Sequence, residues 1–66
     1  MRDKVLERMR EIDFSVFIES PPPDDVLFDV LENNLVNDKG IVGKYWRSLD
    51  FKDRNSLMQE YLDNRR

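Results

Sequence analysis

Apolar residues in this sequence recur at three- and four-residue spacing along most of its length, which is typical of amphipathic helices. Four segments show the pattern. Three prolines follow the first segment, a glycine follows the second, and the apolar face changes direction within the last third. The sequence therefore predicts an all-α fold, a compact bundle of about four short helices that forms a single domain over residues 1–66.

The first segment predicts a helix over residues 2–12. One face of that helix would carry the apolar residues Val5, Leu6, Met9 and Ile12. If the helix continued, Asp13 would stand in the middle of this apolar stripe, so we expect a break there, or Asp13 as the N-cap of a restarted helix. Residues 14–18 fit either a short strand or an apolar helical turn. Because a strand needs a partner and none is evident nearby, we favour the turn.

The prolines at residues 21–23 end the first segment and prepare a second helix. Proline lacks the backbone N–H and pushes its predecessor out of the helical region. Pro23 suits the first helical position, and Asp24 and Asp25 would lie where the helix dipole favours negative charge. We therefore expect a helix over residues 23–33 with an acidic outer face.

The last third predicts two helices, over residues 39–48 and residues 50–64. At 100° per residue, the apolar residues of the two segments point about 160° apart, so one straight helix cannot bury both sets. Ser48 and Asp50 are suitable N-caps for a new helix at the break. The predicted core of the whole bundle consists of Val5, Met9, Ile12, Leu27, Leu31, Trp46, Leu49, Met58 and Leu62.

The residue types that are missing limit the chemistry of this chain. It contains neither cysteine nor histidine, which removes disulfides, thiolate ligands, the commonest metal ligand and the usual general base at neutral pH. Its two glycines form no phosphate-binding loop. We expect no enzymatic activity, no cofactor and no metal site. No apolar run is long enough for a membrane span and no secretory signal is evident, so we expect a cytoplasmic protein without membrane contact.

Charge is unevenly distributed in this small acidic protein, whose net charge is -3. Residues 19–38 contain six acids and no base, whereas residues 39–66 contain seven bases and four acids. We expect the two regions to attract each other, within the fold or between two copies of the chain. The uneven distribution argues against nucleic-acid binding by the whole surface, because such binding needs a dominant positive footprint.

Two surfaces are candidate partner-binding sites. The first is an aromatic and basic cluster made of Lys44, Tyr45, Trp46 and Arg47. Tryptophan, tyrosine and arginine are enriched at interaction hot spots, although the two aromatic residues could instead be core anchors. The second is the acidic face of the second helix, made of Asp25, Asp29 and Glu32. It could meet a basic partner or remain a solvated face.

The leading functional hypothesis is a small noncatalytic regulator or interaction module that binds another protein or a second copy of itself. The alternative is a small transcriptional regulator, similar to helix-turn-helix proteins, that reads DNA through the last helix. Its DNA-contacting residues would be Lys52, Arg54 and Asn55. Asp50 and Asp53 lie in the same turn and would face phosphate unfavourably, so nucleic acid is the less favoured partner.

Overall fold

The computed structural model describes residues 1–65 and contains four helices in that range. They are α1 (Arg2–Val16), α2 (Asp24–Val36), α3 (Ile41–Ser48) and α4 (Phe51–Arg65). No strand occurs in the described residues, which confirms the predicted all-α fold. None of these four helices combines the length and the apolar character that crossing a membrane requires.

Helix α1 runs through Asp13 without interruption, so the predicted break at that residue is wrong. The Asp13 carboxylate is buried, but it accepts a hydrogen bond of 2.6 Å from the Tyr61 hydroxyl. It also lies 3.0 Å from Nε of Arg65 in an ion pair. A charge that is paired and hydrogen-bonded can occupy an apolar stripe. The helix therefore continues to Val16, and residues 17–20 form an irregular bend instead of a strand.

Helix α2 is shifted from the predicted range at both ends. Pro23 is its N-cap instead of its first helical residue, and Asp24 and Asp25 occupy the first turn as expected. The C-terminal end lies at Val36, beyond the predicted end at residue 33. The added turn contains Leu35, which is fully buried, so core packing extends the helix past the asparagines.

The break between α3 and α4 lies where the two apolar faces diverge, as predicted. Leu49 is extended, with φ −84° and ψ 147°. The Asp50 carboxylate then accepts a hydrogen bond of 2.8 Å from the Asp53 backbone N–H, the geometry of an N-cap. The Ser48 hydroxyl instead donates back to the Tyr45 carbonyl within α3. Asp50 is thus the residue that starts the last helix.

Helix α1 is central, because it packs against each of the other three helices, and α2 also packs against α3. Every predicted core residue is buried except Leu49, which is half-buried. The core additionally contains Leu35, Leu57 and Tyr61. Helices α2 and α4 pack less closely against each other, and their facing side chains form the walls of a groove.

Candidate functional site

The predicted aromatic and basic cluster is divided between the core and the surface. Trp46 is fully buried, Tyr45 is half-buried and Lys44 is exposed. The indole Nε1 of Trp46 donates a hydrogen bond of 2.9 Å to Glu32 Oε2. This placement confirms the assignment of Trp46 to the predicted core. Of the four residues, only Lys44 and Arg47 are exposed.

Arg47 is hydrogen-bonded to the end of α2 and to the connection between α2 and α3, residues 37–40. Its Nη1 donates to the carbonyl oxygen of Val36 at 3.0 Å and to that of Asp38 at 2.7 Å. The Val36 carbonyl lies at the C-terminal end of α2, where backbone acceptors lack helical partners and a cation is favourable, and the Asp38 carbonyl lies just beyond it. Within the chain, Arg47 therefore holds two helices together.

Asp38 lies in the same connection. Its Oδ1 accepts a hydrogen bond of 2.7 Å from the Gly40 N–H, and its Oδ2 lies 3.3 Å from Arg8 Nε. The Gly40 hydrogen bond lowers the pKa of the Asp38 carboxyl below its ordinary value, and Arg8 lowers it further. Between α1 and α4, burial raises the pKa of Tyr61 well above its ordinary value, and its bond to Asp13 acts in the same direction.

A three-residue network joins the two sets of candidate residues. Arg54 Nη1 donates to Glu32 Oε1 at 2.6 Å, and Arg54 Nε donates to the Trp46 carbonyl at 3.1 Å. The Arg54 guanidinium carbon also lies 5.6 Å from the centre of the indole ring, within cation–π range. Glu32 and Trp46 were predicted to bind a protein and Arg54 to bind DNA, yet all three bind one another. This network also joins the acidic middle of the chain to its basic last third.

A groove of about 220 Å³ lies beside this network, between α2 and α4. Its lining residues are Phe28, Asp29, Glu32, Phe51, Arg54, Asn55 and Met58. The side chain of Phe51 is 84% exposed, the highest value among the large apolar residues, and Phe28 is half-buried. The sequence placed Phe51 in the apolar pattern of the last helix, but nothing in that pattern indicated that it would remain uncovered.

The acidic face of α2 forms one side of this groove. Asp29 and Glu32 contribute to the lining, and Asp25 lies one helical turn from Asp29 towards the N-terminus. Asp25 and Asp29 are exposed, and within residues 1–65 neither forms an ion pair. Glu32 differs, because Arg54 neutralises it. No group of three or more carboxylates in the described part of the chain is arranged to hold a metal ion.

Two of the three residues of the DNA-binding alternative, Arg54 and Asn55, line the opposite wall. Asn55 lines the groove, Lys52 is exposed, and Arg54 points its guanidinium to Glu32 and Trp46. Comparisons of this chain with family models, with curated proteins and with solved structures find no match. The groove itself offers an apolar surface beside exposed carboxylates.

Proposed function

We propose that this chain is a noncatalytic protein-interaction module and that it binds its partner through the groove between α2 and α4. The observation that carries the proposal is the 84% exposure of Phe51 in one concave surface with the half-buried Phe28 and the buried Met58. Large apolar side chains grouped at a surface are costly to leave in water, and they commonly mark protein-binding sites. Aromatic residues are also the ones that contribute most to such interfaces.

The walls of the groove are held in place by contacts within the chain. Glu32 on α2 is bonded to Arg54 on α4, and both contact Trp46 on α3. A surface whose side chains are already ordered loses less conformational entropy when a partner binds. This preorganisation supports a binding role for the groove.

The test compares two substitutions that place the same charge at exposed apolar positions. Phe51→Glu changes the groove, and Ile18→Glu changes a residue that is 81% exposed in the bend after α1. A glutamate in the first turn of α4 is compatible with the helix dipole, so Phe51→Glu should remain folded, which circular dichroism would check. Both variants and the original chain would be used for affinity capture from a native lysate of the source organism.

We expect the original chain and Ile18→Glu to capture the same partner and Phe51→Glu to lose it. Retention of that partner by Phe51→Glu would refute the groove as the binding surface. A partner that Ile18→Glu alone loses would place the interface at the end of α1. Light scattering over a range of concentrations would show whether the partner is a second copy of the chain.

The DNA-binding alternative has less support from the contacts of its residues. Arg54 already donates to Glu32 and Trp46, so it would have to exchange these bonds for contacts with DNA. Asp50 caps the start of α4 and Asp53 lies in its first turn, where both would face phosphate unfavourably. Duplex binding that weakens steeply with salt and is abolished by Lys52→Glu would favour this alternative over the protein-interaction proposal.

A further inference from the structure

The size of the α2–α4 groove suits one large side chain of a partner. Sites for free small-molecule ligands usually enclose about 300–1,000 Å³. The groove, at about 220 Å³, is smaller than that range. Phe51, which lines the groove, is mostly exposed, so its ring can cover an inserted side chain. A single apolar residue that projects from a protein segment fits this shape better than a free ligand does.

The charged side chains of the groove indicate which residues should flank the apolar residue in the partner. Asp29 lines the groove and Asp25 extends the same acidic wall by one turn. Neither carboxylate has an ion-pair partner in the part of the chain that the structure describes. Glu32, the third acid, is neutralised by Arg54. A partner that carries lysine or arginine close to its apolar residue would complement this wall, whereas an acidic partner would be repelled.

A second copy of the chain complements the groove poorly. In a symmetric dimer, the same surface of both copies meets itself. Both copies would also carry the same net charge of -3, so two copies repel each other on approach, whereas a basic partner is attracted. The charge therefore favours a different protein as the occupant.

This inference rests on the proposed function. We propose that the groove binds a segment of another protein, and that this segment presents one large apolar side chain with lysine or arginine within one helical turn of it. The apolar side chain contacts Phe28, Phe51 and Met58. The basic side chain pairs with Asp29 or Asp25. The first contact supplies most of the affinity, and the second sets the orientation of the segment and speeds its association.

The probe for this proposal is a displayed library of random peptides. Peptides that bind the original chain are selected, and those that also bind the Phe51→Glu variant are removed. The recovered peptides are then synthesised, and their dissociation constants are measured by fluorescence anisotropy. Four proteins are compared: the original chain, Phe51→Ala, Asp29→Asn and Asp63→Asn. Asp63 is an exposed carboxylate near the end of α4 outside the groove, so its substitution makes the same change in net charge as Asp29→Asn.

We expect the recovered peptides to contain a large apolar residue with lysine or arginine within four positions. Phe51→Ala should weaken their binding by about 30-fold or more, as at an interface hot spot. Asp29→Asn should weaken it roughly two- to fivefold at low salt and less at high salt, since exposed ion pairs contribute little and are screened. Asp63→Asn should leave binding unchanged.

The outcomes separate this inference from the proposed function. Peptides that depend on Phe51 but show no excess of basic residues, or that bind Asp29→Asn as well as the original chain, overturn the inference and leave the groove as a binding site. Recovery of no peptide that depends on Phe51 overturns both. Self-association of the original chain that Phe51→Ala removes identifies a second copy as the occupant and also overturns the inference.

Discussion

Gly43 occupies a position in α3 where any side chain would collide with the backbone of the preceding connection. A Cβ atom built on Gly43 would lie 1.9 Å from the Asp38 carbonyl oxygen and 2.6 Å from its carbonyl carbon. Carbon atoms in favourable contact are about 3.5–4.0 Å apart. Because the obstacle is backbone, a change of side-chain rotamer cannot relieve the collision. We therefore expect Gly43→Ala to destabilise the fold.

The size of the effect follows from these distances. The Cβ and the Asp38 oxygen would lie 1.9 Å apart, so the two atoms must move about 1.1 Å further apart to reach a distance of 3.0 Å. That movement would disturb the 2.7 Å hydrogen bond from Arg47 to the same oxygen. Forcing atoms into a well-packed site costs about 1–3 kcal/mol or more, and the better helix propensity of alanine returns at most about 1 kcal/mol. A collision with backbone belongs at the upper end of this range, so about 3 kcal/mol less about 1 kcal/mol gives a net loss of about 2 kcal/mol in the free energy of unfolding, from a total of roughly 3–10 kcal/mol.

Urea denaturation followed by the fluorescence of Trp46, the only tryptophan, would measure this loss. With a slope of about 1 kcal/mol per M, the midpoint should fall by about 2 M. Gly40→Ala is the matched control. Its Cβ would lie 3.2 Å from a side-chain oxygen of Asp38, which can move, and its φ is −88°. We expect this control to lose less than about 1 kcal/mol. A Gly43→Ala variant as stable as Gly40→Ala would refute the reasoning.

Two further predictions concern the polar contacts between helices. Tyr61→Phe leaves the buried Asp13 carboxylate without its hydroxyl donor, and we expect urea denaturation to show a loss of about 1–3 kcal/mol. Tyr45→Phe should lower the free energy of unfolding by less, because no hydrogen bond of the Tyr45 hydroxyl occurs in residues 1–65. Equal losses for the two variants would contradict the prediction. Folding lowers the pKa of the Asp38 carboxyl below its unfolded value of about 3.9. The carboxylate therefore stabilises the fold at pH values above the unfolded pKa, and this stabilisation is lost as the pH falls through the lower folded pKa. Denaturation midpoints measured below about pH 5 should therefore decline less for Asp38→Asn than for the original chain, whereas parallel declines would show that Asp38 is not responsible.

The limits of each helix could be predicted to different degrees. The break before α4 follows from two local features, the change in apolar direction and an aspartate with N-cap chemistry at residue 50. The end of α1 could not be predicted in this way. Asp13 interrupts the apolar stripe in the sequence, and the Tyr61 hydroxyl that makes its burial acceptable lies 48 positions away.

The candidate site could be predicted only in part. The acidic face of α2 was evident from helical spacing, and Asp29 and Glu32 do line the groove. The sequence placed Trp46 both in the predicted core and in a candidate partner-binding cluster, since a buried and an exposed anchor have the same helical spacing. Phe51 was assigned to an apolar pattern, but the tertiary structure leaves it uncovered where α4 packs loosely against α2.

The sequence by itself determined the helical class, the approximate number of helices and most of the core. These properties depend on contacts between residues three or four positions apart and on capping groups at helix ends. The tertiary structure alone decided that Asp13 can remain in the interior, that Glu32, Trp46 and Arg54 bind one another, and that a groove opens beside Phe51. Each of these depends on which helices meet and at what distance, because a buried charge needs a partner from another helix and an apolar side chain is covered only where another helix packs on it.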